Sequence, residues 1–332
     1  MEKPTVYLTK IDKLKENLLS SLDFIGWKDA IKTDSTVFLK PNFTYPYHKK
    51  GITTTPELLE ELLYLLKGRG KRVIIGESDG GNHSFSADDS FLGHNVPEIC
   101  KRTGAEFVNL SKIPSVTVTE KIQGREVTVK LPELLLSEID CMVSVPVLKV
   151  HVMTGISLSM KNLWGCYPDT MRCLHHKDLD QKLTLITKLT KPRLIVVDGS
   201  YALDNHGPMY GTARKMDLLL SSNNPVAVDM IGALIMGIPL IRAKHIITAQ
   251  NENLGPKHIN EITMNADPKE FTNQFRIEKT MIDKMSYLLF NSEMLAKLVM
   301  DSRATPIIYK VAKHLRTKDE SGVVDDLRRY YF

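Results

Sequence analysis

Cysteine is scarce in this chain of 332 residues, and its four copies, Cys100, Cys141, Cys166 and Cys173, include no C-x-x-C pair. That spacing argues against a Cys-ligated iron–sulfur cluster and against a disulfide framework, and it suits the reduced thiols of an unexported chain. Long apolar runs are missing as well. The most apolar stretch, Val226 to Ile241, is interrupted by Asp229 and Pro239 and is too broken to cross a bilayer. The N-terminus lacks the apolar segment of a signal peptide, so a cytoplasmic location is expected. Neither G-x-G-x-x-G nor G-x-x-x-x-G-K-[ST] occurs, which removes the simplest dehydrogenase and kinase readings. Charge of one sign is nowhere massed. The net charge is +5 with basic residues scattered, whereas a nucleic-acid binder would show a concentrated basic patch.

What the chain does have is a recurring unit: a short apolar, β-like run, a polar loop, then a helix. Val37–Leu39 leads into Lys40, Pro41 and Asn42. A helix over Pro56–Lys67 follows, with Thr55 as N-cap and Gly68 past its end. Val73–Gly76 leads into Glu77, Ser78 and Asp79, and Met142–Val145 into a segment holding Lys149 and His151. Leu194–Val197 leads into Asp198, and Leu218–Leu220 into a helix over Val226–Met236. This alternation predicts an α/β protein with an open, mostly parallel, Rossmann-like sheet flanked by helices. Residues 115–130, turning at Gly124, read as an inserted hairpin. Residues 1–270 form the expected core and 271–332 a helical C-terminal extension. The extension is amphipathic over Ile282–Val299 and Pro306–Leu315, and charged from Arg316 to Tyr331.

In an open parallel sheet, ligands bind beyond the carboxyl ends of the strands. The rule gives Lys40, Asn42, Glu77, Asp79, Lys149, His151 and Asp198 one destination, although polar residues also follow strands simply because loops are wet. A helix over Thr154–Leu163 would put Ile156, Met160, Leu163 and Trp164 on one face and Thr154, Ser157 and Lys161 on another. Gly155 near its start would let a ligand approach backbone N–H groups. Lys161 reads as a point charge, as a nucleophile if burial lowers its pKa, or as a solvated surface lysine. His175 and His176 follow in a polar loop, where either could join His151 at a metal or simply face solvent. Gly207 and Gly211 belong to a turn-rich loop, NHGPMYG, which would serve a ligand or an ordinary turn equally. Asp229 interrupts an apolar helix and needs either a lysine partner or the helix dipole.

FLKPN (38–42), TTTPELLEELL (53–63), VSVPVLKVHVMTGISLSMKNLWG (143–165), LIVVDGSYALDNHGPMYG (194–211) and SSNNPVAVDMIGALIMG (221–237) together give the chain a resemblance to the domain of unknown function 362 family. The resemblance implies that family's α/β fold. Many relatives carry ferredoxin-like cysteine clusters, which this chain lacks. HVMTGISLSMKNLWG is also similar to the part of nickel-pincer lactate racemases where a histidine precedes, by ten residues, the lysine that tethers the cofactor. His151 and Lys161 have that spacing, and His175 or His176 would match a later histidine. What this second resemblance implies is a site geometry, without nickel or racemisation.

The expected function is that of an enzyme acting on a small carboxylate or phosphate, in the isomerase or racemase-like or the oxidoreductase-associated class. Lys161 and His151 would be catalytic. Lys40, Asn42, Thr54, Lys149, Asn162, Gly207 and Gly211 would hold the substrate. Glu77, Asp79, Asp198, Asp229, His175 and His176 would orient these groups or bind a divalent metal. The alternatives are a cofactor- or metal-carrying redox accessory and a partner-interaction module. The apolar stripe of the C-terminal helices offers a homo-oligomer face.

Overall fold

The structure, a computed structural model, describes residues 3–290 and 292–302, with Thr305 and Val323. Twelve strands occur among them. In chain order they are β1 (Thr5–Lys10), β2 (Thr36–Lys40), β3 (Arg72–Glu77), β4 (Glu106–Asn109), β5 (Ser115–Ile122) and β6 (Arg125–Pro132). The rest are β7 (Cys141–Ser144), β8 (Val147–His151), β9 (Gly155–Ser157), β10 (Leu194–Asp204), β11 (Thr212–Ser222) and β12 (Thr263–Met264). The main sheet runs β12-β1-β11-β10-β7-β2-β3-β4, with β5 and β6 as a separate hairpin. The pairings from β10 through β7, β2 and β3 to β4 are parallel, and β11 joins β10 and β1 antiparallel.

The apolar runs are continuous because both faces of the sheet are covered. Alternate residues point to opposite sides, as the pleat requires. Val37, Leu39, Val143, Val196 and Leu219 pack with the helices Leu14–Phe24, Pro56–Lys67 and Val96–Thr103. Phe38 and Met142 face the helix Leu179–Thr190 and the hairpin. Ile195, Val197 and Leu220 face the helices Pro225–Ile235 and Lys244–Asn251. Each such aliphatic side chain contributes about 1.5–3 kcal/mol by leaving water.

The α/β architecture and the hairpin agree with the sequence pattern, while two local expectations do not. Pro146 and the cations after it read as a loop, yet β8 continues the sheet there, pairing with β10 at Asp198–Val147 and Leu203–Lys149. The expected helix from Thr154 begins instead as β9, which folds back antiparallel on β8, and only Ser159–Asn162 forms an α-helical turn. Lys149 and His151 on β8 are buried, so the strand carries no outward polar face for sequence pattern to reveal.

Beyond the core, residues 273–278 lie along it. Asn273 N donates to Ile235 O at 2.7 Å, Asn205 N to Arg276 O at 3.1 Å and Glu278 N to Asn205 O at 3.0 Å. The expected helix over Ile282–Val299 is two helices, Met281–Phe290 and Glu293–Met300, the second capped by the Ser292 hydroxyl. They rest on the Arg172–His175 turn. The segments Pro306–Leu315 and Arg316–Tyr331 fall outside the described residues but for Val323.

Candidate functional site

Lys40 ends β2 and Glu77 ends the adjacent β3, so the parallel register sets their side chains side by side. Lys40 Nζ lies 2.5 Å from Glu77 Oε2 and donates to Pro41 O at 2.8 Å, and only 1% of Lys40 is exposed. Phe43 N and Ser78 N also donate to the Glu77 carboxylate. Such a pair is tolerable out of water only because the carboxylate is multiply hydrogen-bonded. Gly165 lies against it. A Cβ there would come within 2.6 Å of Glu77 Oε1 and 2.8 Å of Lys40 Nζ, so only glycine lets the chain cross so closely.

The network continues sideways. Lys149 Nζ, fully buried, donates to Asn42 Oδ1 at 2.9 Å and to Ile52 O at 2.7 Å. Asn162 Nδ2 donates to Lys40 O and Ser144 Oγ, and Asn42 Nδ2 donates to Asn162 Oδ1. Thr54 Oγ1 accepts from Asn42 N and donates to Val145 O. Lys40, Asn42, Thr54, Glu77, Lys149 and Asn162 are therefore brought together as expected. Their polar atoms are turned on one another, so Lys40 and Lys149 do not present free ammonium groups to an incoming anion. With no carboxylate bonded to it, the Lys149 amine is pushed down to about 7 by burial and by the nearby charges of Lys161 and Lys40.

The β8–β9 fold-back gives the ten-residue interval between His151 and Lys161 its meaning. His151 pairs with Gly155 and Lys149 with Ser157, so the chain returns along β8 before turning into the helix that holds Lys161. Lys161 is partly buried but densely surrounded by protein. Among the described residues its Nζ has no hydrogen bond or ion pair, and the Trp164 ring centroid lies 6.0 Å away. Burial and then the Arg172 guanidinium push its amine down to about 7. His151 Nδ1 accepts from Met153 N at 3.1 Å and Thr154 N at 3.4 Å, which leaves the ring proton on Nε2. Burial, followed by the charge of Lys161, keeps His151 well below its usual range and therefore neutral. His176 stands between Trp164 and Phe290, at 5.6 and 5.0 Å between ring centroids. Burial and Lys161 depress it to about 3.

Other expected site residues have different work. Asp198 was expected to steady a lysine or a metal. Its Oδ2 accepts from Thr55 N at 2.7 Å and its Oδ1 from Ser200 N, so it fixes the start of the Pro56–Lys67 helix. The Thr55 hydroxyl makes no cap. Asp229 pairs with neither a lysine nor its own helix end. Its oxygens accept from Ser159 N at 2.8 Å and Met160 N at 3.1 Å, capping the turn that carries Lys161. Asp79 accepts from Ala87 N and Asn109 Nδ2 and organises the loop after β3. His175 faces Asp169 at 3.0 Å, at the rim of a cleft of about 510 Å³ beside the hairpin. Gly155, at φ +77, packs against the Arg242 carbonyl, with 2.5 Å from that oxygen to a notional Cβ, so only glycine fits there. Gly207 and Gly211 lie between β10 and β11, against the carbonyls of Val150 and Asp204. Among the described residues no three His, Cys, Asp or Glu side chains form a metal-holding group.

Two contributors were not foreseen. Arg172 reaches from the loop after Cys166 to donate to Tyr167 O at 2.9 Å and Asp79 O at 2.5 Å, and it has no ion pair among the described residues. His245 is fully buried, with neither ring nitrogen hydrogen-bonded and Nε2 3.9 Å from Asp229 Oδ2. Nothing in their local sequence sets them apart, because only the packing of distant helices and loops brings them to this edge.

An α/β protein with a buried polar network at the strand ends, and an unpaired lysine beside it, is the class that fold and site define. The family model described as "Domain of unknown function (DUF362)" matches residues 37–234, and the chain belongs to that family. A thylakoid-associated protein of Synechocystis sp. is 24% identical over 220 residues, covering 62% of this chain and 64% of the relative. The match thus spans a little under two thirds of that relative's length. No solved structure matches the chain. No helix among the described residues is long and apolar enough to cross a membrane.

Proposed function

We propose that the chain is a cytoplasmic enzyme that takes a small anionic substrate, a carboxylate or a phosphate, at the carboxyl edge of its parallel sheet. Lys161 is the central group, Arg172 the permanent charge and His151 the proton partner. The observation that carries this reading is that Lys161 and Arg172 are both half-buried and have no ion pair among the described residues. Desolvated cations left without counter-charge are costly, and an anionic ligand supplies the missing charge. Neutral His151, with its proton on Nε2, is suited to general acid–base exchange once a ligand is seated. The exposed Met281, Met285, Met294, Leu295 and Leu298 side chains give a second copy or a membrane-associated partner a surface to rest on, in keeping with the thylakoid association named for the relative.

Calorimetric titration with inorganic phosphate and with acetate tests the site. Saturable binding is expected that weakens as pH rises through about 7, where Lys161 sheds its proton. Lys161→Met should abolish it, and undiminished binding by that variant would sink the assignment.

A further inference from the structure

We propose that β6 is the self-pairing edge of a two-fold dimer. The β6 strand of a second copy adds to it antiparallel, so that Glu126 meets the partner's Lys130, Thr128 meets the partner's Thr128, and Lys130 meets the partner's Glu126. This surface stands on different residues from the anion site and from the C-terminal helices.

The phase of the hairpin decides which backbone groups are free. β5 and β6 pair antiparallel from Ser115–Pro132 to Ile122–Arg125. The loop between them is two residues, Gln123 and Gly124, both at positive φ. A loop of that kind is closed by a hydrogen-bonded pair, here Ile122 with Arg125. Hydrogen-bonded and open pairs then alternate along the ladder. Arg125, Val127, Val129 and Leu131 therefore direct their backbone groups to β5, whereas the N–H and C=O groups of Glu126, Thr128 and Lys130 point out of the edge. Two observations agree with this phase. The Thr119 and Thr128 hydroxyls lie 2.9 Å apart, as side chains of an open pair do. Pro132, which has no N–H to offer, falls in the outward phase.

The outward groups are unclaimed. β6 pairs with β5 alone, and among the described residues no other backbone bond reaches Glu126, Thr128 or Lys130. A cleft of about 510 Å³ runs along this edge, lined by every residue from Glu126 to Lys130. Successive side chains on a strand point to opposite faces, so five in a row mark an edge. Val127 and Val129 are already buried with Leu179 and Leu183, while Glu126, Thr128 and Lys130 are exposed. A row of unpaired N–H and C=O groups is a template for another strand.

Charge selects the occupant. A two-fold axis at Thr128 sets position 126 opposite position 130, and these are an acid and a base. The edge thus complements itself, as the same patch must in a two-fold interface. Opposite charges directly across a ladder stabilise it and like charges oppose it. Each facing pair also exchanges two backbone hydrogen bonds. The β5 edge has no such match, because its outward phase carries Thr117, Thr119 and Lys121, with no acid to meet the lysine.

Sedimentation velocity of the full-length protein over a concentration series is the test, with a concentration-dependent dimer expected. Glu126→Lys and Lys130→Glu, each alone, set like charges opposite one another twice in the dimer and should weaken it about tenfold or more. The double variant, Glu126→Lys with Lys130→Glu, should restore the parent affinity. Thr128→Pro removes an N–H that β5 does not use, so the hairpin should persist while the dimer is lost. A monomer at every concentration overturns the proposal. So does a dimer that none of these changes weakens, as one held through the C-terminal helices would be. A dimer that the single changes weaken and the double change fails to restore overturns the two-fold register.

Discussion

Single residues at the sheet edge fall into pairs that satisfy one another and groups left over, and the difference sets what each substitution does. Lys40 and Glu77 are a closed pair. Removing one partner strands a buried charge, which costs about 3–5 kcal/mol, while replacing both with apolar residues costs far less. Glu77→Gln should therefore lower unfolding free energy in urea by about 3–5 kcal/mol, and Lys40→Met with Glu77→Leu together should lose less than the sum of the single changes. Sequence reading located Lys40, Asn42 and Glu77 because each sits at or beside a strand end, and strand ends converge. It could not separate the saturated lysines from the unpaired one. That distinction depends on which acceptors lie across the sheet, at Asn42, Ile52 and Glu77, and no spacing along the chain encodes it.

At the scale of elements, the critical piece is the short turn Ser159–Asn162. One helical turn has little stability of its own, and this one is held from outside by the Asp229 carboxylate on a neighbouring helix. Burial pushes Asp229 up to about 7, so part of its hold comes from a protonated acid accepting hydrogen bonds. Asp229→Ala should cost about 1–2 kcal/mol, as loss of a helix cap does. Asp229→Asn, which keeps one acceptor oxygen, should cost visibly less in the same denaturation experiment. The helices Pro56–Lys67 and Pro225–Ile235 were legible from apolar periodicity and from proline at their first turns. β8 was not, since a lysine and a histidine buried within a strand mimic the composition of a loop, and β9 is only three residues long.

For the molecule as a whole, the buried histidines dominate the response to acid. His94 is depressed to about 4, His176 and His245 to about 3, and His151 lies well below its ordinary value, each chiefly through burial. Their folded-state values lie below the unfolded ones. The unfolded chain therefore binds more protons below pH 6.5, and the stability these groups contribute is lost as pH falls toward their folded values. Each should cost roughly 1.4 kcal/mol per pH unit in that window. Asp229 acts in the opposite sense, favouring the fold in acid and losing that contribution as pH rises through about 7. The four histidines outweigh the raised carboxylates, so the net effect is a decline, and urea midpoints should fall steeply between pH 6.5 and 4. A flat profile would show that water reaches these rings in the folded protein.

The helices that rest on the Arg172–His175 turn come from residues 281–300, after every strand of the polar edge. During synthesis the chain emerges from its N-terminal side, and structured units form in that order. Lys161 and Arg172 are thus laid down, and their strands complete, while the segment that will close over them is still inside the ribosome. The edge passes through an uncovered form in every molecule made.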